Sequence, residues 1–304
     1  MTRINPTPKN IPKLGSICML CQTALPIKNS HVLPKFAVKW LKENCSPYLR
    51  SAGAPNKRVQ DTPKEPLLCL DCEGRFARWE DAFATCIFKP YNANRRIPEF
   101  SYGSWLLYFV VSISWRLLAV QLEELREREP AMYPYSVEAF EHWRLFLLGK
   151  SQTSNPYEHK MFFVSTIERA PEDVPLKMNS YLLRGLDGST VSTDNQQRVY
   201  SLIPGIIFWS AVYPPRMRGW PDGSSIKRKG SFKVSQNVAD ELFGRWTLDR
   251  AKDAFKLPLS EKQQDKIGSD MKRILSTKSV SEQVRMMEPH FADRLLREMN
   301  EHDN

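Results

Sequence analysis

Apolar residues recur with two different periods along the chain, and the change of period divides it. From Cys72 to Phe88 the large side chains Phe76, Trp79, Phe83 and Ile87 fall at steps of three and four, which predicts one helix. Phe36, Val38, Trp40 and Leu41 suggest a shorter helix over Lys35–Glu43. Tyr102–Glu129 predicts the strongest helix of the chain, apolar nearly all round in its first half and rich in Glu and Arg in its second. Its apolar stretch meets a charge at Arg116, short of the roughly 20 residues a membrane-spanning helix needs. It is therefore read as the buried central helix of a domain. Val137–Leu148 predicts another amphipathic helix.

The pattern then changes. Met161–Ile167, Met178–Arg184, Arg198–Leu202 and Ile206–Tyr213 are rich in β-branched and aromatic residues, and Gly185, Asp187-Gly188 and Pro204-Gly205 interrupt them. They predict strands of a small antiparallel sheet. Residues 46–66 are polar and turn-rich and read as a loop, Arg216–Gly230 as a basic loop, and the chain beyond Asn237 as helix with a charged tail. The expected fold class is α+β. A flexible arm (1–14) and a zinc module (15–95) precede a helix-rich domain (96–304) with a sheet inserted at about 160–215.

Composition narrows the class. The chain has 304 residues, 41% hydrophobic and 26% charged, which excludes wholesale disorder, collagen and coiled coil. The first 30 residues hold no apolar signal-peptide core, so a cytoplasmic location is expected. The net charge is +10, and its placement is uneven. Residues 1–60 carry ten basic residues and one acid, Glu43; residues 216–235 carry six bases and one acid, Asp222. Such basic stretches point to a polyanionic partner, because neutralised phosphates release counterions.

Six cysteines refine the picture: four form the pairs Cys18–Cys21 and Cys69–Cys72, each spaced CxxC, while Cys45 and Cys86 are read as ordinary buried thiols. A CxxC turn points two thiolates at one tetrahedral ion, so two turns complete the shell of a structural Zn²⁺ and leave no position for water. A thioredoxin-like redox motif is disfavoured, since neither pair follows a strand and opens a helix in a βαβ setting.

The order of elements is CxxC, turn, Ser30-His31, helix or loop, CxxC, helix. It resembles the treble-clef, ββα-metal module of the HNH endonucleases. Cys18-Met-Leu-Cys21, His31-Val32-Leu33-Pro34 and Leu68-Cys69-Leu-Asp-Cys72 carry the likeness. Ser30–Phe36, Leu67–Glu73 with Glu80, and Ser112-Ile-Ser-Trp115-Arg116 are similar to a little-characterised bacterial group with an HNH-like module, a likeness that spans residues 15–120. The resemblance implies a metal-dependent nuclease acting on DNA more than RNA. His31 would be its general base and Glu73 a ligand of a catalytic Mg²⁺ or Mn²⁺, with Asp61 or Glu80 assisting. Genes of this group are associated with mobile elements and phage defence, which extends the expectation to a defence effector.

The chain departs from the family pattern in three places. Glu73 stands where the family has His, Ser30 where it has Asp, and Lys64-Glu65-Pro66 where it has Asn, with Asn56 further upstream. Lys35, Lys39, Arg75 and Arg78 are expected to hold the nucleic-acid backbone, joined by Lys227, Arg228 and Lys229 beside Trp220. Glu80 reads more readily as a salt-bridge partner than as a ligand. His142, His159, His290 and His302 lack ligand spacing and read as surface or packing residues. The alternatives are a non-catalytic zinc module that binds nucleic acid or a protein partner, and a structural zinc knuckle in a protein whose function lies further along the chain.

Overall fold

The computed structural model describes residues 11–45, 48–164 and 178–277. Most of the expected arm, residues 165–167 of the first expected strand, and the charged tail with His290 and His302 lie outside the described residues. Ile11 and Leu14, assigned to the arm, pack on the hydrophobic core.

The first half of the chain builds a small ββα unit. Strand β1 (Ser30–His31) pairs antiparallel with β4 (Lys64–Glu65), with His31 opposite Lys64, and α2 (Leu70–Phe83) follows. Between these strands lie α1 (Lys35–Asn44) and the hairpin β2 (Leu49–Ser51)–β3 (Ala54–Val59). The stretch 46–66, expected as a loop, thus contains three strands. They escaped notice because their side chains are mostly polar and at least partly exposed, so no apolar alternation marks them. The helix expected to run to Phe88 continues as one π-helical turn, Ala84–Phe88, into α3 (Lys89–Ala93).

Helix α4 (Ser104–Arg128) is the axis of the molecule. It packs on α2, on α5 (Tyr133–Leu147) and on the main sheet. Trp79 of α2 stacks on Tyr108 at 4.8 Å, and Tyr108 on Phe146 of α5 at 4.6 Å, tying three helices with one column of rings. By length and composition α4 could cross a bilayer, but 78% of its most apolar window is buried inside the protein. Its apolarity is the price of contact on every side.

The main sheet has the order β6 (His159–Phe163), β9 (Ile206–Tyr213), β8 (Gln197–Ile203), β7 (Asp187–Ser192), all antiparallel. Val199, Ile203, Ile206 and Phe208 face the α4 core. Tyr200, Leu202, Ile207 and Trp209 face a second core made with α6 (Met178–Arg184) and α7 (Glu241–Ala254). Burial on both faces explains why these strands read as continuous apolar runs. The turn Pro204-Gly205 joins β8 to β9 with φ +76 at Gly205, a conformation that favours glycine.

Two further expectations are corrected here. Met178–Arg184 is a helix rather than a strand: Met178, Tyr181 and Leu182 share one helical face on the second core, a pattern that a short apolar run cannot distinguish from a strand. Asp187-Gly188, read as a break, begins β7 instead. Glycine is present there because a Cβ would lie 2.4 Å from Leu117 Cδ2 of α4. A lesser sheet pairs β5 (Glu99–Tyr102) with β10 (Gly230–Lys233), and α8 (Glu261–Thr277) closes the described chain. One cluster of buried side chains runs from Cys18 and Leu20 through Phe83 and Phe109 to Phe208, across residues 95–96.

Candidate metal centre and adjoining histidine site

The four paired cysteines converge. Met19 N donates to Leu67 O at 2.9 Å and Ile27 N to Leu68 O at 2.7 Å, zipping the first CxxC loop to the segment that enters α2. Cys69 caps α2 and Cys72 sits in its first turn, where the helix dipole favours a thiolate. The four Sγ atoms all lie within 4.8 Å of one another, and Cys21 Sγ is 3.9 Å from Cys69 Sγ. A tetrahedron with bonds of about 2.3 Å has edges of about 3.8 Å, so this set could coordinate a metal ion such as zinc. None of the four forms a disulfide. A hydrogen bond from Cys72 lowers the Cys18 thiol to about 4, while Cys72 itself is pushed up. Thiols this close share protons unevenly unless a cation joins them. Cys45 is buried as expected, whereas Cys86 is exposed on the π-helical turn.

His31 lies beside this centre, on β1. Its Nε2 is 3.1 Å from Asp61 Oδ2, and the same oxygen accepts from Lys64 Nζ at 2.8 Å. Nδ1 has no partner among the described residues. Burial pushes the Asp61 carboxyl up, but the Lys64 and His31 hydrogen bonds outweigh it and hold Asp61 at about 2. A carboxylate with a depressed value contributes stability that is complete above its unfolded value near 3.8 and is lost as pH falls through about 2. The stability gap between wild type and Asp61→Asn is therefore expected to be constant from neutral pH to about 4. It should then shrink toward pH 2, in denaturant melts repeated across that range. A gap that does not change with pH would show that the pair carries no linkage.

Behind β1 stands Arg116 of α4, only 1% exposed. Its Nη1 donates to His31 O at 3.0 Å, Nη2 to Glu80 Oε1 at 2.7 Å and Nε to Ser112 O at 3.3 Å, with the Phe76 ring 5.4 Å away. Arg116 therefore holds the main chain under His31. Glu73, in the first turn of α2, is half-buried. Burial pushes its carboxyl up; Arg116 and a hydrogen bond from Ser30 pull it down. Its Oε2 is buried without a partner.

No cluster of three ligands marks the expected Mg²⁺ or Mn²⁺ site among the described residues. Among the described residues only the cysteine set brings three or more ligand atoms within reach of one ion. Glu80 is spent on Arg116, as its salt-bridge reading predicted, and Asp61 on His31 and Lys64. Glu73 Oε2 is the single orphan carboxylate oxygen there.

The basic residues are spread out. Lys35 and Lys39 are exposed on α1, just after β1, with Lys39 3.9 Å from Glu43. Arg78 is exposed on α2, while Arg75 donates to Leu147 O at the C-terminus of α5. Lys227, Arg228 and Lys229 belong to the edge formed by β5 and β10: Lys227 N donates to Tyr102 Oη, and Arg228 to Gln152 O. His159 is buried against Trp143, and His142 packs on Tyr157, as packing residues do.

Comparison with family models, curated proteins and solved structures returns no match. The reading of this site rests on its own residues. Sequence reasoning gave no role to Arg116 or Lys64. Arg116 could have been found, because a lone charge within the apolar part of α4 must meet a carboxylate.

Proposed function

We propose that the chain is a zinc-stabilised nuclease of HNH type that hydrolyses a phosphodiester in DNA, with His31 as general base. One observation carries this reading. His31 sits on the first strand of a ββα unit whose helix begins at the cysteine set, and Asp61 holds one of its ring nitrogens while the other has no partner among the described residues. Asp61 accepts from Nε2–H, which leaves Nδ1 the basic nitrogen that takes a proton from water. In this reading Asp61 does for the imidazole what the absent family Asn would do. The four cysteines hold a structural Zn²⁺ in a treble clef, fixing β1 against α2. A divalent ion, if bound, would be held by Glu73 Oε2 together with substrate oxygens and water, and would supply charge stabilisation at the phosphate. Lys35, Lys39 and Arg78 supply exposed positive charge around the site.

A second reading is favoured by one specific observation. The His31 side chain is only 12% exposed and Glu73 Oε2 is buried, so the site is recessed. A module that binds nucleic acid or protein without cutting needs no more than this.

Plasmid cleavage with Mg²⁺ or Mn²⁺ separates the two. Wild type is expected to cut, His31→Gln to lose about 10²–10⁴ in rate, and Asp61→Asn to lose about tenfold or more. All should keep their metal and a cooperative melting transition. Equal cutting by wild type and His31→Gln, or no cutting beside intact DNA binding in a gel shift, would move the assignment to the binding module.

A further inference from the structure

A cavity of about 740 Å³ opens between the C-terminal end of α1, the β2–β3 hairpin, the α6–β7 corner and the α7–α8 connection. Its size falls within the range of small-molecule sites. Leu41, Leu49 and Leu257 give it apolar walls, and Tyr48 and Tyr181 give it rings.

The polar groups on these walls are unequal. Asp187 is consumed by Arg250, at 2.6 and 2.8 Å, and by the Tyr181 hydroxyl at 2.6 Å. Asp61 is consumed by His31 and Lys64. Asp253 lies at the exposed rim. Arg50 is different. It lines the cavity half-buried, its Nη2 donates to the neutral amide of Gln263 at 2.8 Å, and its Nε is buried without an acceptor. Its cross-strand neighbour is another cation, Arg58, whose Nη2 is 3.5 Å from Asp270. Burial and Arg58 together make the charge on Arg50 costly, and Asp270 offsets only part of that cost. A desolvated guanidinium with unused donors beside a second guanidinium is suited to phosphate oxygens. Aromatic and aliphatic walls are suited to a flat ring.

We propose that this cavity binds a nucleotide, its base among the tyrosines and leucines and its phosphate on Arg50. The nucleotide comes either free or as an unpaired unit of a strand. Asp61 belongs both to the cavity wall and to the His31 site. Binding does not require that His31 cut anything.

The test is calorimetric titration of the full chain with adenosine monophosphate, with adenosine and inorganic phosphate as separate probes. Displacement of the mononucleotide by a twelve-residue oligothymidylate adds the strand arm. Arg50→Gln removes the phosphate partner, and Leu257→Glu places a negative charge at an exposed wall position, 48% accessible. Arg126→Gln, at an exposed position of α4 outside the cavity, is the control for diffuse electrostatics. The mononucleotide is expected to bind more tightly than either half alone. Its affinity should fall about tenfold or more in Arg50→Gln and in Leu257→Glu and stay unchanged in Arg126→Gln. Displacement by the oligonucleotide assigns the site to a strand; binding without displacement assigns it to a free nucleotide. No heat with the mononucleotide, together with oligonucleotide affinity equal in wild type and both cavity variants, would overturn the proposal. So would inorganic phosphate binding as tightly as the nucleotide. Neither result depends on cleavage, so failure here is separable from failure of the nuclease reading.

Discussion

Cys72→Ser is expected to cost the protein its bound metal and most of its stability. Wild type should purify with one zinc per chain, and the variant with none, by atomic emission. Cys72 is almost fully buried in the first turn of α2 and belongs to the same core cluster as Phe83 and Phe109. Metal binding by such a set is folding free energy. Structural zinc contributes about 10–16 kcal/mol in small zinc peptides, as much as the whole stability of an ordinary domain. The main-chain bonds that zip the first CxxC loop to the entry of α2 are few, so the ion carries much of that junction. The melting temperature should fall by about 15 °C or more, or the cooperative transition should vanish. A strong chelator should reproduce the effect on wild type. Cys86→Ser, at an exposed position, and Cys45→Ser, buried away from the cluster, should keep one zinc each. Wild type that is metal-free and melts like the Cys72 variant would exclude the zinc assignment.

The second large effect is expected at Arg116. Arg116→Met leaves Glu80 without its partner beneath a core helix and releases the His31 carbonyl. Breaking a buried pair by removing one member costs about 3–5 kcal/mol, mostly the penalty of the charge left behind. In a chain of this size that is about 6–10 °C in melting temperature. Glu80→Leu alone should also destabilise, because the guanidinium then keeps carbonyls, the Phe76 ring and the Glu73 charge but no directly bonded carboxylate. The double variant Arg116→Met/Glu80→Leu should recover a large part of the loss, since apolar replacements of a buried pair are often neutral. A double-mutant cycle from denaturant melts should give a coupling above about 1 kcal/mol. Additive losses would mean that the two charges do not support one another. Arg116→Lys should remain destabilised, because one ammonium cannot serve Glu80, His31 O and Ser112 O in the geometry of the planar fork.

What was legible in the chain is what short-range physics encodes. The steps of three and four in Phe76, Trp79 and Phe83 mark α2, the apolar run before Arg116 marks α4, and the two CxxC spacings mark a metal-ligating set. Each depends on residues a few positions apart, where helix pitch or ligand geometry acts directly. Strands β8 and β9 were legible for the same reason, with Pro204-Gly205 between them.

Other features were decided only when distant segments met. Met178–Arg184 folds as α6 because the second core offers a helical face a seat, and β7 tolerates Gly188 because Leu117 of α4 presses against it. The polar hairpin β2–β3 has no periodicity to announce it. Asp61 could have been a metal ligand on residue type alone; it became the partner of His31 because β4 pairs with β1 across 30 residues of chain. Glu80 was on the same helical face as Glu73, yet Arg116, 36 residues on, claimed it. Charge, unlike helix pitch, has no fixed range in sequence. A carboxylate takes the cation that burial leaves beside it, and only the packing of α4 against α2 and β1 determines which cation that is.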